Sequence, residues 1–512
     1  MYSVVTGITS TPESCDVVII GARLAGASAA AHMARAGLDV VALDRSSFPS
    51  DQLSTHLLFP DGINEIRRMG ALPGILSHNP TRSPWMQLVV NHGRPDESRI
   101  LERWRPAGPI DYCLCVPRIL QDVELVNAAR AAGADVRERH RLVEVLWRGG
   151  RACGVRYADR DGNQFDLMAK LVIGADGRRS SVAAQVGAFA PYRASRNGRA
   201  LVFRYGDDPQ FGTQAGQTIH QWRDEDSMAF LFPSTPAGRM LMLFMGPAQE
   251  AAEASKDPEG YWDRKLAVHP GMAERCRGAE NLSGLRATGD TTSYFRASSG
   301  PGWVLIGDAG HFKDPVIGQG QRDALWSGRR LAEMLGTRLG SSWEIDQATR
   351  EWEHERDREC LHAYHFGNIE TQVRTVPPVL SGAIRRSGRK GLQRPDFTDV
   401  FGRARSITEV LTGPRIVAGT ASALRHNTAE LLSAQGVRDL LMDVRTQFEL
   451  RRQTKSTDFR CTRDVFGSDN ADPTPPAPVR PVARAANDAA TPNTETAPPS
   501  HAQATATAEI GV

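Results

Sequence analysis

The chain has 512 residues, of which 40% are hydrophobic and 24% charged, so it can bury a large core and form two or three domains. Its formal net charge of +3 is nearly balanced, which argues against a nucleic-acid partner. The seven cysteines are scattered without metal-ligand spacing, so we predict no metal site and expect a cytoplasmic protein with reduced thiols. Residues 1–14 lack an export signal, and no apolar run reaches the roughly 18 residues of a membrane span.

The first motif is a strand–helix–strand unit near the N-terminus. Residues 16–20 are a short β-branched strand, and a helix of small residues is predicted to run to about residue 36. A second strand, 39–43, ends in Asp44, which stands 23 residues after Gly21. This spacing is typical of a dinucleotide-binding unit, in which the helix N-terminus faces a pyrophosphate and the acid binds a ribose hydroxyl.

The turn of this unit, residues 21–26, reads Gly-Ala-Arg-Leu-Ala-Gly. Gly21 would make the tight turn, Gly26 would let the helix pack closely against the strand, and Ala25 continues the run of small residues. Arg23 occupies the position of the usual second glycine, so the fingerprint is incomplete. An ordinary parallel βαβ unit with a small-residue helix is the alternative interpretation.

A second strand end is predicted within residues 171–177, Leu-Val-Ile-Gly-Ala-Asp-Gly, which precede a helical pattern. Asp176 and Gly177 would lie at the carboxyl end of a strand, where open α/β sheets bind their ligands. A strand that simply ends in an Asp-Gly turn is the alternative.

The most informative segment is 302–324. Its apolar run, 303–306, predicts a buried strand that ends in Gly307 and Asp308, and a turn rich in Pro and Gly then leads into a helix from about Asp323. An acid at a strand end can accept hydrogen bonds from a polyol. Glycines before a helix let backbone N–H groups approach an anionic or electron-rich ring edge.

Taken in order, these three segments resemble the class A flavin-dependent monooxygenases, the group with the para-hydroxybenzoate hydroxylase fold, over roughly residues 15–335. The same superfamily contains flavin-dependent halogenases and geranylgeranyl reductase-like enzymes. A fourth match is Val-Pro-Arg at 116–118, where Arg118 occupies the position of the family's flavin-contacting arginine. A surface salt bridge is the alternative role for this arginine.

The resemblance implies an α/β fold with a Rossmann-like FAD-binding domain of the glutathione-reductase type. An inserted, mostly antiparallel β-sheet domain would bind the substrate, and a helical region would follow. Beyond Gly467 the chain has no aromatic residue and is dominated by Pro, Ala and Thr, so we expect a disordered tail. We predict a discontinuous FAD-binding domain (15–79, 111–190 and 296–340), a substrate-binding sheet (80–110 and 191–295), a helical region (341–465) and the tail (466–512).

By this resemblance the strand ends bind FAD. Asp44 would hold the adenosine ribose, and Asp308 would hold the ribityl chain. Asp176 and Gly177 would serve both FAD and the pyridine nucleotide. The predicted cofactor-binding residues are Gly21, Arg23, Ala25, Gly26, Asp44, Arg45, Arg118, Asp176, Gly177, Gly307, Asp308, Gln319 and Gly320.

The resemblance also implies a reaction. NADPH or NADH would reduce FAD, and reaction with O2 would give a flavin C4a-hydroperoxide that transfers one oxygen atom to an aromatic or polyene small molecule. Backbone N–H groups from Gly318 to Gly320 would stabilise charge on the flavin ring, and Pro315 would fix the loop. His56 is the remaining catalytic candidate; a packed histidine behind a Ser54 helix N-cap is the alternative.

Other interpretations stay open at this point. His311 could relay protons, although a loop histidine that bonds to the backbone is the simpler expectation. The Trp-x-Trp-x-Ile-Pro segment that usually accompanies halogenation is absent from the sequence. Phe-Leu-Phe-Pro at 230–233 matches only in part the aromatic-x-Phe-Pro segment of the prenyl-chain reductases. A non-catalytic scaffold is a further alternative. The candidate pocket residues are Tyr205, His220, Trp222, Phe230, Phe232, Phe244 and Met245.

Overall fold

The computed structural model describes residues 13–195, 198–389, 396–426 and 428–454, and the predicted tail lies outside them. The predicted domain boundaries stay a prediction. The strands are β1 (Glu13–Ile20), β2 (Val40–Asp44), β3 (Leu57–Leu58), β4 (Trp85–Val90), β5 (Ser98–Arg103), β6 (Leu114–Cys115), β7 (Asp135–Glu138), β8 (Arg141–Arg148), β9 (Arg151–Ala158), β10 (Gln164–Gly174), β11 (Arg193–Ala194), β12 (Leu201–Asp207), β13 (Thr218–Asp224), β14 (Ser227–Pro233), β15 (Arg239–Met245), β16 (Arg286–Thr288), β17 (Tyr294–Phe295), β18 (Ser299–Gly300), β19 (Trp303–Leu305) and β20 (His311–Phe312).

Helices connect and cover these strands. They are α1 (Leu24–Arg35), α2 (Pro60–Arg68), α3 (Leu72–Ser77), α4 (Arg118–Ala131), α5 (Ser181–Gln185), α6 (Glu250–Lys256), α7 (Pro258–Val268), α8 (Pro270–Arg275), α9 (Gly320–Leu335), α10 (Ser342–Glu370), α11 (Pro378–Arg389), α12 (Thr398–Phe401), α13 (Ile407–Val410), α14 (Gly413–His426), α15 (Thr428–Leu431) and α16 (Ala434–Thr454).

The main sheet is built around β1. Its order is β18-β19-β10-β1-β2-β7, and β9 and β8 continue from β10. The strands β1, β2, β7, β10 and β19 run parallel, and the register aligns Ile20 with Leu43 and Gly174, and Gly174 with Leu305. The segments that follow these positions are therefore brought to one edge of the sheet. This is the arrangement that the sequence predicted.

Small residues hold α1 between the main sheet and α9. The hydroxyl of Ser28 donates to the carbonyl of Leu325 at 2.7 Å. At Gly328 on α9, a Cβ would come within 2.5 Å of the backbone nitrogen of Ala29, so no larger residue fits there. The run of alanines and glycines in α1 thus allows close packing of the two helices.

The second sheet is mostly antiparallel, as predicted, with the order β16-β12-β15-β14-β13-β4-β5; only β13 and β4 run parallel. Side chains alternate between its faces. One face carries Phe230 and Leu243 and packs with Ile317, from the segment between β20 and α9. The opposite face carries Phe244, which packs against Trp262 of α7.

Helices after α9 complete the structure. The long helix α10 begins at Ser342, and the side chain of the preceding residue, Ser341, caps it. Helices α11 and α14 pack closely, because a Cβ at Gly382 would lie 2.5 Å from the carbonyl oxygen of Gly419. Asp399 of α12 forms a bidentate ion pair with Arg105. None of the helices in the described part of the chain combines the length and the apolar composition that a membrane crossing requires.

Candidate cofactor and substrate site

Three loops meet at the carboxyl edge of the main sheet. The N–H of Ala175 donates to the carbonyl of Ile20 at 2.8 Å, and the N–H of Ile306 donates to the carbonyl of Gly174 at 2.9 Å. Gly21 has a φ of +98°, and a Cβ there would come within 2.5 Å of the Ala175 carbonyl oxygen. Only glycine allows this turn together with this approach.

The start of α1 is equally crowded. A Cβ at Gly26 would lie 1.7 Å from the carbonyl oxygen of Gly21. Gly307 has a φ of +56°, and a Cβ there would lie 2.7 Å from the Cβ of Ala25. The small residues therefore hold the N-terminus of α1 next to the end of β19. Its first N–H groups can serve as an anion-binding end.

Asp44 organises the loop after β2. Its two carboxylate oxygens accept hydrogen bonds from the backbone N–H groups of Ala22 and Ser46, each at 2.8 Å. A carboxylate has further lone pairs, so these bonds leave capacity for a hydroxyl group. Arg45, the next residue, is exposed.

Arg23 does not block the turn. Its guanidinium bonds to Asp122 at 2.6 Å and to the carbonyl and hydroxyl oxygens of Ser50. Arg118, at the start of α4, binds both oxygens of the same Asp122, at 2.7 and 2.9 Å. Asp122 is fully buried and was missed by sequence reasoning. Its spacing of four residues from Arg118 was the signal that could have identified it.

Asp176 has a local structural role. Its carboxylate accepts hydrogen bonds from the hydroxyl of Ser180 and from the backbone N–H groups of Ser181 and Val182, at the start of α5. Burial raises the pKa of Asp176, although these hydrogen bonds act to lower it. Gly177 adopts a φ of +78°, so an Asp-Gly turn is present. The segment also lies beside Gly21, at the predicted edge.

Asp308 is different because none of the described residues donates a hydrogen bond to its carboxylate. Removal from water raises its pKa, while the charges of Arg178, Arg118 and Lys313 oppose that rise. A carboxylate among several cations and without a protein donor is suited to a ligand that brings hydroxyl groups. This acid and the glycine-lined edge fit the ribityl and pyrophosphate parts of FAD.

The loop from Pro315 to Gly320 connects this edge to α9. The carboxylate of Asp314 accepts a hydrogen bond from the N–H of Val316 at 2.9 Å. Gly318 has a φ of +65°, and a Cβ there would meet the ring of Phe59 at 2.9 Å. The side chain of Gln319 donates to the carbonyl of Phe401. Helix α9 begins at Gly320, three residues earlier than the sequence indicated, so the loop ends directly in free helical N–H groups.

His311 and Lys313 are both buried beside this loop. Nδ1 of His311 donates to the carbonyl of Tyr294 at 3.0 Å, so Nε2 accepts from the Lys313 ammonium at 2.9 Å. Lys313 also pairs with Asp323. Burial lowers the pKa of Lys313 to about 7 and that of His311 well below its usual range. The expected backbone bond of His311 is present.

His56 lies where the FAD-binding edge meets the second sheet. Nε2 of His56 faces the carbonyl of Gln52 at 3.4 Å, so Nδ1 accepts a hydrogen bond from the hydroxyl of Tyr205. Burial lowers the pKa of His56 to about 4. Ser54 caps no helix: its hydroxyl accepts from the His56 N–H, and the chain continues into β3. The proposed helix cap was therefore wrong, because this segment pairs with β6.

An apolar cavity lies between the second sheet and the Pro315–Gly320 loop. Strand alternation explains which pocket candidates reach it: Phe230, Phe232 and Met245 do, whereas Phe244 and Trp222 belong to the cluster on the other face. Its described lining has no charged side chain. The lining residues are Thr55, Leu57, Phe59, Met86, Trp104, Ile219, Gln221, Phe230, Phe232, Leu243, Met245, Pro315, Val316, Ile317, Gly318 and Phe401.

Sequence comparison finds similar reductases. The chain is 25% identical over 341 residues to the digeranylgeranylglycerophospholipid reductase of Methanocella arvoryzae, which covers 62% of this chain and 77% of the relative. It is 26% identical over 355 residues to the menaquinone reductase of Mycolicibacterium smegmatis, with 64% and 79% covered.

Comparison with solved structures finds the same fold in other enzymes. The myxobacterial chondrochloren halogenase CndH superposes with a TM-score of 0.61 at 24% identity, covering 80% of this chain and 97% of the halogenase. PqsL of Pseudomonas aeruginosa, described as a probable FAD-dependent monooxygenase, gives a TM-score of 0.56 at 19% identity, with 70% and 97% covered. At these identities the likeness concerns the fold.

The family model of the FAD binding domain matches residues 14–355. This match spans all three loops at the carboxyl edge of the main sheet, and it confirms the resemblance stated from the sequence motifs. The chain belongs to the FAD binding domain family of flavoprotein oxidoreductases.

Proposed function

We propose that the protein is an FAD-dependent monooxygenase that uses NADPH or NADH and O2 to oxygenate an aromatic or polyene small molecule. One observation carries the proposal: the loop that leads from the cofactor edge into α9 also forms a wall of the apolar cavity, through Pro315 and Gly318. A substrate in this cavity would lie directly against the part of the chain that the family uses to hold the flavin ring.

The chain's own groups would bind and orient the cofactor. Asp308 would accept hydrogen bonds from the ribityl hydroxyls, and the N-terminus of α1 would face the pyrophosphate. Arg118, held by Asp122, has a fixed guanidinium that suits phosphate or ring oxygens. When bound, FAD supplies the electron transfer and the activation of O2.

The loop would then stabilise charge and exclude water. The N–H groups of Gln319 and Gly320 have no acceptor among the described residues and lie at the N-terminus of α9, where the helix dipole favours negative charge. The N–H of Gly318, which was predicted from the sequence to act with them, donates instead to the carbonyl of Pro315 at 2.9 Å. Pro315 contributes no N–H donor on the cavity side. The apolar lining keeps bulk water away from the reacting atoms. The hydrogen-bonded pair of buried His56 and half-buried Tyr205 borders this region, and we propose that it positions the Gln52–His56 segment against the flavin ring.

Reduction of a carbon–carbon double bond in a prenyl chain is the second candidate. The two relatives found by sequence comparison favour this reaction, because both are named reductases and both match about two thirds of the chain. The same apolar cavity would hold an isoprenoid segment.

Oxygen consumption separates the two reactions. The FAD-loaded protein would be mixed with NADPH or NADH and with phenolic, indolic and polyene compounds, while O2 uptake and hydrogen peroxide are recorded. We expect substrate-dependent consumption of one O2 per NAD(P)H, little peroxide, and a product heavier by one oxygen atom. A product that forms without O2 and is heavier than the added compound by two hydrogen atoms would support the reductase instead. Peroxide without product from any compound would contradict both.

A further inference from the structure

Two residues in the wall of the apolar cavity have polar atoms without a protein partner. Gln221 is 2% exposed and Trp104 is 3% exposed. Neither the amide oxygen of Gln221 nor the indole N–H of Trp104 has a hydrogen-bond partner among the described residues. A buried polar atom without a partner is destabilising, and most buried polar atoms in native structures are paired. Two unpaired atoms in the wall of one apolar cavity therefore need an explanation.

The position of Gln221 is unusual within its sheet. The row of side chains that crosses the cavity face at this level is otherwise apolar. It consists, in register, of Ile100, Leu88, Gln221, Phe230, Leu243 and Phe203. A leucine or methionine would fill the same place without an unpaired amide, so packing alone does not explain the glutamine.

Trp104, which follows β5, lines the cavity together with Phe59. Its indole packs against the ring of Phe59 at a centroid distance of 5.2 Å, and Phe59 in turn touches Gly318. Tryptophan N–H groups usually find a partner when buried. Here the ring is anchored while its one donor is unused.

We propose that Gln221 and Trp104 select the substrate: a neutral molecule with an apolar body, one hydroxyl or N–H donor for the Gln221 oxygen, and one carbonyl-type acceptor for the Trp104 N–H. This inference rests on the proposed function, because it assigns the apolar cavity to the substrate. It names the chemical class that this cavity admits.

The electrostatics of the cavity favour neutral ligands. Since none of its described lining residues is charged, a carboxylate or phosphate would be buried without a counter-charge, which is strongly unfavourable. The aromatic and aliphatic side chains of the lining suit an apolar body.

Binding to the oxidised, FAD-loaded protein tests the proposal without turnover. Four naphthalene probes carry substituents at opposite ends of the ring system: hydroxyacetonaphthone, naphthol, acetonaphthone and hydroxynaphthoate. Dissociation constants are obtained from changes in probe fluorescence. For the unmodified protein we expect hydroxyacetonaphthone to bind most tightly, naphthol and acetonaphthone each roughly three- to tenfold more weakly, and the anionic hydroxynaphthoate most weakly.

Two variants identify the partners. Gln221→Met keeps the side-chain length and removes the acceptor, so it should weaken the two hydroxyl-bearing neutral probes by roughly three- to tenfold and leave acetonaphthone unchanged. Trp104→Phe should weaken the two ketones and leave naphthol unchanged. Trp147→Phe, at a residue that is 45% exposed, is the control and should change none of the four constants.

Equal affinity of the unmodified protein for the three neutral probes would overturn the proposal, as would binding of hydroxynaphthoate as tight as that of hydroxyacetonaphthone. If a variant loses FAD, the four-probe comparison on the unmodified protein still decides whether the cavity prefers a neutral ligand with one donor and one acceptor. Probes that bind as expected but are never oxygenated would refute the proposed function alone. Oxygenation of compounds that bind the unmodified protein and both variants equally would refute the selection alone.

Discussion

The two sides of the candidate site are built by different means. The cofactor side consists of backbone and small residues at three parallel strand ends, where Gly21, Gly26 and Gly307 allow contacts that any Cβ would prevent. The substrate side consists mostly of large side chains from the second sheet and of Phe401, from the C-terminal helices, and it meets the cofactor side at the Pro315–Gly320 loop. Changes on the first side should therefore remove the cofactor, whereas changes on the second should alter only what is bound beside it.

Gly26→Ala gives the strongest test of the backbone-built side. The added Cβ would lie 1.7 Å from the carbonyl oxygen of Gly21, so the turn before α1 has to move. We expect loss of bound FAD, seen in the visible absorbance of the purified protein, together with a lower melting temperature. Gly284→Ala is the matched control, because nothing lies within 4 Å of a Cβ there. Full flavin content in Gly26→Ala would show that the turn is not part of the site.

Leu243→Trp probes the side built from side chains. The larger ring would occupy the cavity, and overpacking of this kind costs about 1–3 kcal/mol of stability. We expect normal flavin content and loss of substrate-stimulated NAD(P)H oxidation. Leu282→Trp, at a residue that is 45% exposed, should behave like the unmodified protein. Unchanged turnover in Leu243→Trp would place the substrate elsewhere.

Asp308→Asn tests an acid of the cofactor side whose carboxylate has no hydrogen-bond donor among the described residues. Hydrogen bonds to an ionised acceptor contribute about 1.5–3 kcal/mol each, so the affinity of the apoprotein for FAD should fall by at least about tenfold. Titration followed by flavin fluorescence measures this loss. Asp161→Asn, on an exposed turn, is the control. An unchanged dissociation constant would remove the ribityl assignment.

The smallest expected effect concerns His56, at the boundary of the two sides. Burial lowers its pKa to about 4 in the folded protein, whereas a free histidine has a pKa of about 6.5, so the unfolded chain binds more protons between these pH values. Stability should therefore fall as the pH is lowered from about 6.5 to 4. In His56→Asn that fall should be shallower. The melting temperature of the variant minus that of the unmodified protein should therefore be about 2–4 °C more positive at pH 5 than at pH 8. Parallel curves for the two proteins would contradict the shifted pKa.

The difference between the cofactor side and the substrate side also explains which parts of the site could be predicted from the sequence. The strand ends were predictable because glycine and aspartate at a strand's carboxyl end are a local signal, and β1, β10 and β19 lie where their apolar runs indicated. Asp122 was missed for a different reason. The sequence shows an acid four residues after Arg118, but it does not show that the fold brings Arg23 to the same acid.

The cavity was only partly predictable. Phe230, Phe232 and Met245 were found, but Phe244 faces the other way, because the register of β15 decides which residues point inward. Trp104 and Phe401 contact the cavity from segments far apart in the chain. Their approach depends on packing between separate elements, for which no local pattern exists.

A structure of the protein with FAD bound would decide whether the cofactor side and the substrate side meet at the flavin ring. We expect the pyrophosphate at the N-terminus of α1, the ribityl hydroxyls on Asp308, and the flavin ring against the loop from Pro315 to Gly320 with one side open to the apolar cavity. FAD bound away from Asp308, or a ring separated from the cavity by intervening protein, would contradict this expectation.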